Sequence, residues 1–313
     1  MSLKNWLLLC LLALIWGGTF PLAKLAVAEI PPFVLVFARV AIAAVVLHAI
    51  LRLRGLRFPV APGMLFAFLV MGLLNNAIPF SLIFWGQTEV TASLASILNG
   101  TTPIFTVIVA SLVFSQEVLK AHRVAGICLG FVGVAVLLSP GLFGIGTEPL
   151  WAKMLFLGAA LSYAFAATFA RRFSGVSILV AAAGQLTGST LLMAPLAFWQ
   201  ASTWQGAGWS AAQTSTQGWI AMALLGVLCT AFAYLIYFRL LRDAGATNAS
   251  LVTLLVPVTA TAIGVAFLGE VLSGVQFAGM AILLAGLCVL DGRVFKLFAP
   301  RDRPVSKPSG EGN

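Results

Sequence analysis

Apolar residues fill the chain in long runs separated by short charged or Gly/Pro-rich punctuation. A helix needs about 20 apolar residues to cross the hydrocarbon core of a bilayer, and cutting at the punctuation leaves ten segments of that order. They fall near residues 5–28, 31–51, 62–85, 91–115, 122–139, 151–171, 177–199, 217–239, 244–267 and 274–292. The predicted fold class is an all-α integral membrane protein with ten transmembrane helices. The longest connection, QASTWQGAGWSAAQTSTQ from Gln200, reads as a polar outer loop, and the Pro-, Gly- and charge-rich tail 293–313 as a disordered basic cytoplasmic segment that leans on anionic lipid.

Composition agrees: with 61% hydrophobic and 9% charged residues, the 313-residue chain has too little polar surface to cover a water-soluble globule. The net charge of +9 does not signal nucleic acid, because the Lys and Arg residues are neither gathered on one face nor interleaved with stacking aromatics. It signals topology instead. With the N-terminus inside, Lys4, Arg52, Arg54, Arg57, Lys120, Arg123, Arg171, Arg172, Arg239, Arg242, Arg293, Lys296, Arg301, Arg303 and Lys307, 15 of the 18 Lys and Arg, are cytoplasmic, and both termini are expected on the cytoplasmic side of the cytoplasmic (inner) membrane. Glu29, Glu89, Glu148 and Glu270 then fall on the outer side, and Trp6, Trp151, Trp199, Trp204, Trp209 and Trp219 at helix ends. Cys10, Cys128, Cys229 and Cys288 sit inside apolar runs without a CxxC pair or a His neighbour and read as packing residues. The leader-like Lys4 and Ala26-Val27-Ala28 are expected to stay on the chain, since cleavage there would remove part of a repeat.

The repeat is internal. Shifted by 153 residues, Glu117, Val118, Leu119, Ala125, Gly126, Gly133, Val136 and Leu137 meet Glu270, Val271, Leu272, Ala278, Gly279, Gly286, Val289 and Leu290. Shifted by 154, Ala92, Ala95, Ser96 and Pro103 meet Ala246, Ala249, Ser250 and Pro257, and Gly72, Leu74 and Ala77 meet Gly226, Leu228 and Ala231. Shifted by 147, Trp16 and Lys24 meet Tyr163 and Arg171. Each copy holds five helices, an odd number, so the second enters the membrane upside down, the arrangement that underlies alternating access in secondary carriers. The expected organisation is a first repeat over 1–139, an outer linker over 140–150, an inverted second repeat over 151–292 and the tail.

LIWGGTFPLAKLA at Leu14 to Ala26, PPFVLVFARVAIAA at Pro31 to Ala44, and proline-centred fourth and ninth helices followed by SQE and LGE resemble the EamA branch of the drug/metabolite transporter superfamily. Trp16, Gly17, Phe20, Lys24 and Arg39 stand where that family has them, and the resemblance extends to about residue 292. It implies export of a small-molecule substrate. Within the family the sequence is most similar to amino-acid exporters, including bacterial aromatic amino acid exporters. Related proteins move drugs, amines, nucleotide precursors and sugar phosphates, and these stay open as alternatives.

Sites in inverted-repeat carriers lie near the midplane, where polar groups are costly. Helix three brings Asn75, Asn76, Pro79 and Phe80; helix four Ser96, Asn99 and Pro103; helix nine Ser250, Thr253, Pro257 and Thr261; helix eight Thr230, Tyr234 and Tyr237; helices one and six Trp16, Thr19, Ser162, Tyr163 and Thr168. Each proline removes a backbone donor and frees a carbonyl. Asn and Tyr are expected to recognise ammonium and carboxylate groups, with Trp16 and Phe80 against the apolar part of the substrate. The resemblance implies that the same six helices line the cavity. The plainer reading of any one Ser or Thr is interhelical hydrogen bonding. Lys24 and Arg39, basic residues in the outer half of the membrane, either attract a substrate carboxylate or pair with an acid such as Glu29 and snorkel; Lys24 is counted in the site.

Other classes lack their chemistry. No Gly-Lys-Ser/Thr loop offers a phosphate cradle for a pump. An integral membrane enzyme needs a metal or acid/base cluster, yet His48 and His122 are far apart and no two acids share a helix face. No cofactor or metal is expected. A receptor or structural subunit leaves the pseudo-symmetric halves unexplained. Asn99-Gly100-Thr101 and Asn248-Ala249-Ser250 match the glycosylation pattern but fall in the membrane and on the cytoplasmic side.

Overall fold

The computed structural model describes residues 1–115, 119–143 and 148–292. Glu117 and Val118 of the repeat, part of the linker and the tail from residue 293 lie outside the described residues. Ten apolar helices follow one another: α1 (Leu3–Val27), α2 (Pro32–Leu53), α3 (Pro62–Glu89), α4 (Ala92–Val113), α5 (Ala121–Leu142), α6 (Leu150–Phe173), α7 (Ile178–Thr203), α8 (Thr216–Ala244), α9 (Val252–Leu268) and α10 (Gly274–Asp291). Local sequence sets their ends. Ser2 and Ser273 accept hydrogen bonds from the amides of Asn5 and Gln276, three residues on. Pro32 and Pro62 open α2 and α3, where a missing N–H is no loss. Gly269 and Gly292 stop α9 and α10 in the left-handed region, at φ 65° and 74°.

Among the departures from ten plain rods, three bear on the site and its surroundings. The segment expected to be loop from Gln200 continues α7 to Thr203, because Gln200 is buried and its Oε1 accepts from the first-turn amide of Phe33 on α2 at 2.7 Å. The α4 helix is interrupted at Gly100 and Thr101: Pro103 has no N–H for the Asn99 carbonyl, which the Thr102 hydroxyl takes instead at 2.7 Å. Both α3 and α8 widen into π-helical segments, Leu73–Ala77 and Val227–Phe232, at positions related by the repeat.

The packing follows the repeat. Among the most extensive contacts are α5 with α10 and α2 with α7, each a pair of counterparts, while α1 packs on α9 as α6 packs on α4, α3 on α7 as α8 on α2, and α1 on α8 as α6 on α3. Exchanging the two five-helix halves reproduces this set, as two inverted repeats about an axis in the membrane plane require. The α5–α10 seam is glycine-built. A Cβ on Gly286 would stand 2.6 Å from the Gly130 nitrogen, a Cβ on Gly126 2.5 Å from that of Leu290, and a Cβ on Gly279 2.6 Å from Leu137. These are small residues that let backbones touch. Gly286→Val is expected to cost about 1–3 kcal/mol through overpacking, read as a lowered melting temperature in detergent. Gly274→Ala, with open space around its Cβ, is the matched control and should leave melting unchanged.

The bundle has an acidic end, where Glu29, Glu89, Glu148 and Glu270 lie, and a basic end, with Lys4, Arg52, Arg171 and Arg239. Glu29, between α1 and α2, pins the start of α8 by accepting from the Ser215 amide and hydroxyl at 2.6 and 2.8 Å; these two bonds hold its carboxyl below the ordinary range.

Candidate functional site

The π-helical segments of α3 and α8 stand on either side of a polar group in which the Tyr234 hydroxyl reaches Asn76. Each follows a glycine against a neighbouring helix: a Cβ on Gly72 would meet the backbone of Gln185 and Ser189 on α7, and one on Gly226 would meet Ile42 on α2. A π-turn spaces its bonds five residues apart, so Pro79 leaves the Leu74 carbonyl without an amide; Ser162 of α6 donates to it at 2.7 Å. The widened turn of α3 directs Asn75 and Asn76 inward. Asn75 Nδ2 donates to Gln185 Oε1 at 3.1 Å, and Asn76 Oδ1 accepts from the Tyr234 hydroxyl at 3.4 Å. Asn76 is fully buried, yet its Nδ2 has no partner among the described residues. On α8 the Thr230 hydroxyl donates to the Leu225 carbonyl and accepts from Arg39 Nε, both at 2.8 Å.

Arg39 is the central cation. It is 5% exposed, its guanidinium carbon lies 4.0 Å from the Phe80 ring centroid and 5.6 Å from that of Phe84, and Tyr163 and Tyr234 stand close enough to feel its charge. Among the described residues no carboxylate pairs with it. Tyr163, Tyr234 and Tyr237 are half-buried. Trp16 lies against Tyr237 with ring centroids 5.3 Å apart.

Of the residues read from sequence, Asn76 bonds Tyr234, Asn75 bonds Gln185, Phe80 and Thr230 hold Arg39, and Trp16 lies against Tyr237, while Pro79 and Tyr163 stand on α3 and α6. Asn99 and Pro103 lie at the α4 break, where the Asn99 Oδ1 is buried without a partner and Gly100 packs within 3.2 Å of Pro257 as measured from an added Cβ. Thr19 and Thr253 bond back to their own helices, at the carbonyls of Ile15 and Ser250. Lys24 stands apart. Its Nζ donates to the carbonyls of Gln87 and Thr88 at 2.8 and 3.5 Å, capping the C-terminus of α3 at the acidic end.

That end is closed by a polar network. Glu270 accepts from the Ala92 and Ser93 amides at 2.6 and 2.9 Å and from the Ser93 hydroxyl. Glu148 accepts from the Thr91 amide and hydroxyl, both at 3.1 Å, and pairs with Lys153 at 3.7 Å. Lys153 is 2% exposed and escaped the sequence reading, although a lone cation at the start of an apolar helix was the available signal. Arg39, read from sequence as either a carboxylate partner or a snorkelling cation and not counted in the site, stands on α2 bonded to Thr230.

Residues 4–139 and 150–290 each match the EamA-like transporter family. The chain belongs to that family. Two matches of five helices each confirm the two-repeat membrane fold. Relatives of this EamA-like transporter include the uncharacterized transporter YvbV of Bacillus subtilis, 28% identical with 92% of each chain covered, and the uncharacterized inner membrane transporter YedA of Escherichia coli K12, 27% identical over 87% of this chain and 86% of YedA. It is also 28% identical to a probable amino-acid metabolite efflux pump of Salmonella typhimurium, covering 99% of this chain and all of that one. A solved crystal structure shares the fold at a TM-score of 0.66 and 21% identity, over 96% of this chain and 100% of that one.

Proposed function

We propose that this EamA-like transporter exports amino acids and related small zwitterionic metabolites across the cytoplasmic membrane by alternating access, with the acidic end outward and both termini in the cytoplasm. The observation that carries the reading is the central group itself: amide, phenol, hydroxyl and guanidinium side chains of α2, α3 and α8 lie together, and among the described residues no carboxylate pairs with the guanidinium. Such a site offers donors to a carboxylate and aromatic faces to an ammonium and an apolar side chain, and it lacks the buried acid that favours organic cations. Kinship to a protein named as an amino-acid metabolite efflux pump points the same way. Orientation rests on the excess of Lys and Arg at the basic end.

Purified protein in liposomes loaded with radiolabelled amino acids of differing side chain tests this reading. Efflux of several amino acids above that from protein-free liposomes is expected. Movement of cationic dyes without any amino acid would replace the reading with a drug or amine exporter.

A further inference from the structure

We propose that Arg39 is the carboxylate-binding residue of the central site, so that the transported substrate carries a free carboxylate. The proposal deepens the amino-acid reading and rests on the same site.

The argument begins with what Arg39 lacks. A guanidinium has five N–H donors, and one of them, on Nε, is used, by Thr230. The terminal nitrogens have no hydrogen-bond partner among the described residues, and they are not sealed off from open space. Stacking on Phe80 and Phe84 stabilises the charge, but by less than its removal from water costs, so the rings alone do not offset its burial. Neutralisation by deprotonation is closed to arginine. A buried cation that the protein holds by Nε and Phe80, with its fork left unengaged, is an incomplete pair whose missing half is an anion.

The surroundings select which anion. The planar fork matches a two-oxygen carboxylate in bidentate geometry. The Thr230 hydroxyl at Nε and the half-buried Tyr234 phenol, which bonds Asn76, add neutral polar groups to the same central set. A phosphate group, with more charge and a third oxygen, calls for a second cation. The other basic residues in the acidic half, Lys24 and Lys153, are engaged by the carbonyls of Gln87 and Thr88 and by Glu148 at the bundle end. One positive charge and neutral donors fit a monoanionic carboxylate. Thr230, which accepts from Nε and donates its own hydroxyl to the Leu225 carbonyl, is the positioning residue for the guanidinium.

Binding to the detergent-purified protein, followed by intrinsic fluorescence with isothermal titration as a second readout, separates the possibilities. The probes are amino acids from alanine to tryptophan, their primary amides and the matching carboxylic acids without the amino group. In the native protein the carboxylates are expected to bind at least tenfold more tightly than the amides. Arg39→Gln should abolish that preference by weakening the acids at least tenfold while leaving the amides unchanged, and Arg39→Lys should recover part of it. Equal binding of acid and amide by the native protein overturns the proposal even if no variant folds, as does equal weakening of both in Arg39→Gln, binding of phosphorylated probes in place of carboxylates, or failure of every carboxylate to bind. Binding of the deaminated acids without any amino acid would instead sustain the role of Arg39 and sink the amino-acid reading. Amino-acid efflux that ignores Arg39→Gln would do the reverse.

Discussion

Asn76→Leu is expected to make the protein more stable and unable to carry its substrate. The native Nδ2 is buried without a partner, and an unsatisfied buried donor costs about 1–3 kcal/mol. Leucine has nearly the same size and removes that cost. The loss on the other side of the ledger is small, since the Tyr234 hydroxyl gives up a long 3.4 Å bond and still has Asn75 within reach. A net gain of about 1 kcal/mol in stability should appear as a raised melting temperature, while efflux falls by at least tenfold. A residue that merely stitches helices together would lose stability on the same change. A lowered melting temperature with efflux preserved would therefore assign Asn76 to the framework.

Glu270→Ala is expected to unlock the acidic end. One carboxylate satisfies two first-turn amides and a hydroxyl of α4, the amides at 2.6 and 2.9 Å, at a helix N-terminus where negative charge is favoured. Hydrogen bonds to charged groups are worth about 1.5–3 kcal/mol each. With water replacing part of that, a shift of about 2 kcal/mol remains, roughly thirtyfold in the closed-to-open ratio. Hydrogen exchange should rise by that factor at Ala92 and Ser93 and leave the α5–α10 seam unaltered. Gly264→Ala offers an independent route, because a Cβ there would sit 2.6 Å from Glu270 Oε2 and 2.8 Å from Ser93 Oγ. If neither substitution changes exchange, the closure is held instead by Glu148 and Lys24.

The chain was legible where composition and spacing carry the physics. Ten apolar runs became ten helices, and the Glu270, Gly279, Gly286 and Pro257 matches announced the second copy and its inversion. Of the residues chosen for being polar at mid-span, Asn76 and Tyr234 bond each other, while Asn75 bonds Gln185 and Thr230 bonds Arg39. What stayed hidden was decided by backbone. A π-turn has the composition of an α-turn, so Gly72 and Gly226 read only as matched positions of the repeat, and nothing revealed that the turn after each would widen. Lys24 seemed matched to the site because its partners, the carbonyls of Gln87 and Thr88, leave no trace in side-chain patterns. Thr19 and Thr253 were equally opaque, since a hydroxyl turned back to its own helix and one turned toward a ligand are the same letter.

The glycine seam between α5 and α10 has one further consequence. Its contacts map onto themselves when the halves trade places: Gly126 with Leu290 becomes Gly279 with Leu137. A contact of this kind has the same energy before and after the exchange, so it cancels from the difference between two states related by that exchange. The pairings of α1 with α9 and of α6 with α4 do not cancel singly, because each turns into the other. The molecule therefore divides into an axle and a balance. Substitutions along the axle set how long the protein survives, and substitutions between α1 and α9 or α4 and α6 set which side it spends its time facing.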